Sequence, residues 1–317
     1  MITGKGIRAA TIATLAAVIA ACSGGSNSDS SGAISVSMMD RTVDGVDELN
    51  ITVTEFWIKP QGSGPAFQLD MVVTPVTVDL LKLGVENPAI FVDQANIPAG
   101  TYNWLEMTVD DSAASASHAM ADDGSMIKVD IDVPSDRVRL INNFEVEPNE
   151  SVRLLFDWDA RKGLTEAVGR GLYILKPVIR VLDVEVFGSV VGEIASATIT
   201  APDNDCNADS DPAMDYAEGN VIYVFEGAVD PGEIGIVEGE PYTTVEATDV
   251  DNDGNYEYRA ALMPGTYTIA ATCQGGIDSD DDDGLDPLTF FLAPTSGDSV
   301  VTFEAADNVD DIQGPSF

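Results

Sequence analysis

Three alternating aspartates, Asp249, Asp251 and Asp253, run into Gly254. A D-x-D-x-D-G spacing sets carboxylate oxygens round a tight turn, with glycine taking the bend, and such oxygens suit Ca²⁺. A full EF-hand loop closes on a bidentate glutamate, and Ala260 stands at that position. The same residues also describe a hairpin turn in which Asp253-Gly254 supplies left-handed backbone. Asp278, Asp280, Asp281, Asp282, Asp283 and Asp286 form a second acidic run after Cys273, and Asp203, Asp205, Asp209 and Asp211 form a third around Cys206. Carboxylates crowded in this way repel one another, and either a bound cation or free solvation relieves the repulsion. Asp249, Asp251, Asp253, Asp278, Asp280 and Asp282 are therefore the candidate ligands. Ca²⁺ is the cofactor they would take, and nothing in the sequence requires it.

Other reactive types form no catalytic constellation. Asp157 and Asp159 flank Trp158, and paired carboxylates can hydrolyse glycosides when suitably spaced. An edge pair bonded to Arg161 or Lys162 explains them more simply. His118 stands in an Ala/Ser-rich stretch that reads as a solvated loop, and it is the single histidine. Cys206 and Cys273 are left as the one intramolecular pair once Cys22 is set aside. In an oxidising compartment their bond would close a loop of roughly 67 residues and contribute about 4 kcal/mol; two free thiols are the alternative. Trp57, Trp104 and Trp158, with Tyr102 and Phe56, could stack against sugar rings, but Trp158 is in phase with an apolar strand face and Trp104 is not. Basic residues concentrate late in the first half, from Arg137 through Arg139, Arg153, Arg161, Lys162, Arg170 and Lys176 to Arg180. They read as partners for neighbouring acids, or as a dock for an acidic second half, ahead of an anion site.

The elements that must position these residues are strands. Ile34, Val36 and Met38 alternate with serines. Ile51 and Val53 alternate with Thr52 and Thr54, and Phe56 and Ile58 then continue on a shifted phase that predicts a bulge. Leu105, Met107 and Val109 share a face, as do Ile127, Val129, Ile131 and Val133, and Val152, Leu154, Phe156 and Trp158 do not break the pattern. Period two with one apolar face describes half-buried antiparallel strands, and two packed sheets bury such faces. Short helices are expected only around Leu80–Val85 and Ala160–Val168. The run Tyr173–Leu182 reads as one closing strand with Pro177 at an edge or bulge. A second pattern begins at Gly188 and continues through Val221–Phe225, Thr243–Ala247, Tyr256–Leu262, Thr266–Thr272 and Leu288–Leu292. The fold class is all-β: two tandem β-sandwiches, Ig-like or prealbumin-like, at residues 33–187 and 188–305, with a flexible tail at 306–317.

Acidic residues number 54 against 15 basic ones, for a net charge of −39. Beyond Gly188 the one basic residue is Arg259. Such a surface repels nucleic acid and anionic headgroups, which excludes nucleic-acid partners. At the N-terminus, Lys5 and Arg8 precede the small and apolar run Ala9–Ala21, too short to span a bilayer and suited to a secretory signal. The run ends in Ile19-Ala20-Ala21-Cys22, which resembles the lipobox of bacterial lipoproteins. The resemblance implies cleavage after residue 21, acylation of Cys22, and a membrane partner through the lipid. Ser23, where that family often has Asp for inner-membrane retention, points to the outer membrane. Residues 22–32 then form the lipidated cysteine and a flexible tether.

Met39-Asp40, Leu49–Pro60, Val78-Asp79-Leu80-Leu81-Lys82-Leu83, Ile97–Tyr102, Phe156-Asp157-Trp158-Asp159 and the Leu175-Lys176-Pro177-Val178-Ile179-Arg180 core follow one another in an order that resembles the bacterial domain-of-unknown-function family 4382. The resemblance spans residues 33–187 and implies an exported lipoprotein with β-rich modules, but no activity. Asp251–Tyr256 and Leu262–Ile269 are similar to carboxypeptidase-regulatory-like or transthyretin-like sandwiches, which implies a non-catalytic module. The resulting expectation is a non-enzymatic, lipid-anchored outer-membrane protein that contacts an unidentified protein or glycan. A Ca²⁺-assisted glycan-binding accessory and a purely structural envelope component are the alternatives.

Overall fold

The computed structural model describes residues 30–40, 46–112, 116–121, 124–140, 143–167, 169–201, 206, 219–229, 241–273, 292–303 and 311–317. The first group of strands is β1 (Ser31–Asp40), β2 (Val46–Pro60), β3 (Phe67–Leu69), β4 (Val76–Asp79), β5 (Ala89–Pro98), β6 (Gly100–Val109), β7 (His118–Ala121) and β8 (Lys128–Val129). It continues with β9 (Ile131–Asp132), β10 (Arg137–Leu140), β11 (Phe144–Val146), β12 (Ser151–Trp158), β13 (Leu164–Ala167), β14 (Leu172–Leu175) and β15 (Ile179–Asp183). The second group is β16 (Gly188–Ile194), β17 (Val221–Glu226), β18 (Thr243–Glu246), β19 (Tyr256–Leu262), β20 (Gly265–Thr272), β21 (Val300–Phe303) and β22 (Asp311–Gln313). Among the described residues helix is confined to single turns, including α1 (Ala160–Gly163) and α2 (Ser196–Ile199), with a 3-10 turn at Leu80–Lys82.

In the first group, β15-β12-β1-β5 make one sheet, β2 organises a second, and β13-β14-β9 form a small third. Asn50 pairs with both Asp79 and His118, and Val53 with both Val76 and Val109. Strand β4 therefore lies on one side of β2, with β6 and β7 in succession on the other. The bulge in β2 is present: the register against β6 shifts between Val53 and Glu55, so Phe56 and Ile58 return to the buried face after Ile51 and Val53. Between the sheets, Phe56 lies 5.6 Å from Phe91 and 6.2 Å from Phe156, in tilted ring contacts.

Strand direction departs from the antiparallel expectation. β1 and β12 run parallel at the centre of their sheet, as do β9 with β14 and β16 with β22. Alternation reports which face is buried and carries no information about a partner's direction. The run Ile127–Val133 is broken into β8, which pairs with β7, and β9, which pairs with β14. The run Tyr173–Leu182 is two strands in different sheets, because Pro177 and its neighbours turn the chain between β14 and β15.

The second group encloses its own core between the sheets β19-β16-β22 and β18-β17-β20-β21, with Val190, Ile222, Val224, Ala260, Ile269 and Phe317 fully or nearly fully buried. The flexible tail expected at 306–317 is corrected for its described part, residues 311–317. Asp311–Gln313 pairs with β16, Phe317 is 1 % exposed, and its backbone N–H donates to the Glu193 carbonyl at 2.9 Å. The apolar Phe317 side chain, which composition alone hid among Asp, Gly and Pro, is what holds this segment down. Cys206 and Cys273 form a disulfide with Cα atoms 5.3 Å apart, and both flank this second core.

Candidate functional site

The acidic turn lies between β18 and β19, closed by the Thr248–Glu257 bridge. Gly254 (φ 92°) takes left-handed backbone as the hairpin reading requires, but the other left-handed residue is Asn252 (φ 62°) and not Asp253, so the loop is not a two-residue D-G hairpin. Asp249 accepts the Asp253 and Gly254 N–H groups, each at 3.0 Å, and Asp251 accepts the Asp253 N–H at 3.2 Å. Asp253 in turn accepts the Asn255 N–H at 2.8 Å. One oxygen from each of Asp249, Asp251 and Asp253 lies within 4.8 Å of the others. That separation fits three oxygens on one Ca²⁺, which takes six to eight, so water would have to supply most of the remainder. Asp278, Asp280 and Asp282 lie outside the described residues, as does Cys22.

Asp157 and Asp159 are not an edge pair. Strand β12 lies inside its sheet between β15 and β1, and the two aspartates are 1 % and 4 % exposed. Arg180, opposite Asp157 on β15, forms an ion pair with it. Asp159 caps α1 by accepting the Lys162 N–H at 3.2 Å. These charges are buried because the second sandwich covers the outer face of this sheet. Met39, Leu155 and Leu182 pack there with Ala261, and Val85, Phe187 and Met263 gather at the margin. The Arg161 guanidinium donates to the Tyr223 hydroxyl at 2.8 Å, and that of Arg180 lies 4.1 Å over the Tyr242 ring. Burial of a charged pair is tolerated where the ions are bonded. Arg180 donates to Asp157 and, at 3.4 Å, to the Ala261 carbonyl of the second sandwich, while its Nη1 is buried without a hydrogen bond among the described residues. Arg161 and Arg180 thus dock the second sandwich, one of the two roles read for the basic residues. Tyr223 and Tyr242, which receive them, carry no sequence signal apart from their aromaticity.

His118 is corrected as well. It opens β7, is 8 % exposed, and its Nδ1 lies 2.7 Å from the Ala116 carbonyl oxygen. Its Nε2 lies 3.4 Å from Glu48 and from the Asn50 amide. Just before it, Ser117 Oγ accepts the Thr52 N–H at 2.8 Å.

Of the tryptophans, Trp158 is fully buried in the core, whereas Trp57 and Trp104 are half-buried on the outer face of the β2–β6 pair. The Trp57 indole N–H donates to Glu55 at 2.9 Å, and the Arg139 guanidinium lies 4.3 Å over Trp104. Between the two rings Glu106 is buried, accepting from Arg139 at 2.7 Å and meeting Arg137 at 3.4 Å.

Residues 31–177 match the model of a domain of unknown function, DUF4382. No curated protein matches the chain. Among solved structures, a putative adhesin from Bacteroides ovatus ATCC 8483 is 10 % identical, with 83 % of this chain and 82 % of that one covered, at a TM-score of 0.19. The fimbrial anchor protein Mfa2 from Porphyromonas gingivalis is 6 % identical, with 76 % and 78 % covered, at a TM-score of 0.16. Scores this low carry no argument about this chain, so its assignment rests on the family match. The segment from residue 31 to residue 177, which holds the bulged strand β2, the central parallel pair β1–β12 and the Trp57–Trp104 face, is the part of the chain that matches the DUF4382 family.

Proposed function

We propose that this chain is a non-enzymatic, lipid-anchored protein of the cell envelope, in which two docked β-sandwiches present a contact surface at the end of a short tether. The observation that carries the reading is the seam between the sandwiches. Arg161 bonds Tyr223, Arg180 lies on Tyr242 while paired with Asp157, and an apolar cluster centred on Leu155 and Ala261 fills the space between. A seam that is both apolar and charge-matched makes two domains move as one, where a flexible linker would let them swing. Of the two carboxylates weighed for hydrolysis, Asp157 is thereby assigned to docking and Asp159 to capping α1. Anchoring rests on the resemblance of Ile19–Cys22 to a lipobox; the first strand begins soon afterwards, at Ser31.

Mass spectrometry of the chain from a bacterial membrane fraction tests the anchor. The expected species begins at Cys22 and carries diacylglycerol and an amide-linked acyl chain; an unmodified Cys22 would overturn it. Capture of envelope proteins or glycans by the full chain tests the contact role.

A further inference from the structure

The outer face of the sheet organised by β2 stands apart from the seam, and its side chains form a lattice set by strand register. Trp57 of β2, Glu106 of β6 and Arg139 of β10 lie in one cross-strand row. Lys59 and Trp104 make the row on one side; Glu55, Thr108 and Arg137 make the row on the other. The two indoles are thus diagonal neighbours on one face, a separation within reach of a single ligand ring or of adjacent rings. Each is held in place by a separate device: Trp57 by its bond to Glu55, Trp104 by the guanidinium above it.

The charges around them are unevenly committed. The Lys59 ammonium donates to the carbonyls of Pro60, Gly62 and Gly64 and faces its own loop. Glu106 is 5 % exposed at its side chain and engages both arginines, so its negative charge is turned inward. The arginines remain open to solvent, with Arg139 48 % and Arg137 62 % exposed at the side chain. Arg137 reaches Glu106 only through Nη1, at 3.4 Å. In a chain of net charge −39, this face ends in two fixed indoles and outward guanidinium groups held by one buried carboxylate.

We propose that this face binds an acidic saccharide, the apolar side of a pyranose ring lying on Trp57, beside the Arg139-covered Trp104, and its carboxylate on Arg137. Indole faces take up sugar C–H surfaces and guanidinium forks take up carboxylates. The pre-ordered rings and the Glu106-held fork reduce what must be immobilised on binding. A rim of Gln68, Lys59 and Thr108 is polar, which suits a hydroxylated ligand better than an apolar protein surface. This deepens the contact role proposed above by naming its ligand class, and rests on that reading only for the biological setting.

The test is titration of the full chain with hexa-galacturonate and, as the neutral counterpart, cellohexaose, read by calorimetry and by tryptophan fluorescence. The buried Trp158 is shielded, so the fluorescence change reports the two surface indoles. Hexa-galacturonate is expected to bind at least about tenfold more tightly than cellohexaose, the ratio that one surface ion pair and its hydrogen bonds can supply. Arg137→Ala is expected to reduce acidic binding to the neutral level with an unchanged melting temperature, and Trp57→Ala to weaken both ligands. The inference is overturned if neither saccharide binds, if the two bind equally, or if either variant binds hexa-galacturonate like the parent. Capture of an envelope protein together with no saccharide binding would overturn this inference and leave the anchored contact role standing.

Discussion

Tyr258 shows how one residue couples the C-terminal segment to the second sandwich. Its hydroxyl donates to the Pro315 carbonyl at 2.8 Å, and burial pushes its pKa well above the ordinary value of 10.0. The folded protein therefore keeps a proton that the unfolded chain releases, and the stability this provides is complete below pH 10 and is lost as the pH rises beyond it. Tyr267, also raised by burial and bonded to the Met263 carbonyl, acts in the same direction. Melting followed between pH 8 and 11 should show a steep alkaline decline that is shallower in Tyr258→Phe, at a cost near neutrality of about 1 kcal/mol. The acidic turn is tested at the same scale. Millimolar Ca²⁺ should raise the melting temperature of the second sandwich, and Asp251→Asn, which disturbs a single backbone bond, should abolish the rise. Unchanged melting with no heat of binding would leave the turn as a backbone-capping device.

The α1 turn and the corner at Pro177 depend on one close approach that no side chain permits. Gly163 ends α1 against the segment joining β14 and β15, and a Cβ there would meet the Lys176 carbonyl oxygen. Its carbonyl accepts the Lys176 N–H at 2.8 Å, so the turn and the corner at Pro177 are locked together. Gly163→Ala should cost about 1–3 kcal/mol by forcing that corner outward, measured by urea unfolding. A slope unchanged from the parent would show that only stability had moved. The bulge in β2 was legible because two apolar phases in one uninterrupted run require an extra residue between them. The break at Pro177 was half legible: proline marked an irregularity, but the transfer of the two halves to different sheets depends on partners far away in sequence.

For the whole molecule the seam decides the behaviour. Arg180→Ala would remove the cation that pairs with the buried Asp157 and lies over Tyr242, a loss of about 3 kcal/mol. Scanning calorimetry should then resolve two transitions where the parent shows one, and small-angle scattering should record a wider interdomain distribution. A single transition in the variant would mean that the apolar cluster around Leu155 suffices to hold the sandwiches together. Tyr223→Phe, which removes the acceptor for Arg161 but keeps the ring, should give the same change in smaller measure.

The amino-acid sequence by itself determined the all-β class, most strand positions, the glycine bend at Gly254 and the core placement of Trp158. Each of these is local: it follows from side-chain alternation, from glycine's backbone freedom, or from a residue's phase within one strand. Only the tertiary structure decided strand direction, the burial of Asp157 and Asp159, the environment of His118 and the anchoring of Phe317. It also decided which tryptophans face outward together and which arginines flank them. Those outcomes depend on register and on which surface lands on which, and the free energy that selects them lies in contacts between residues that the chain holds far apart.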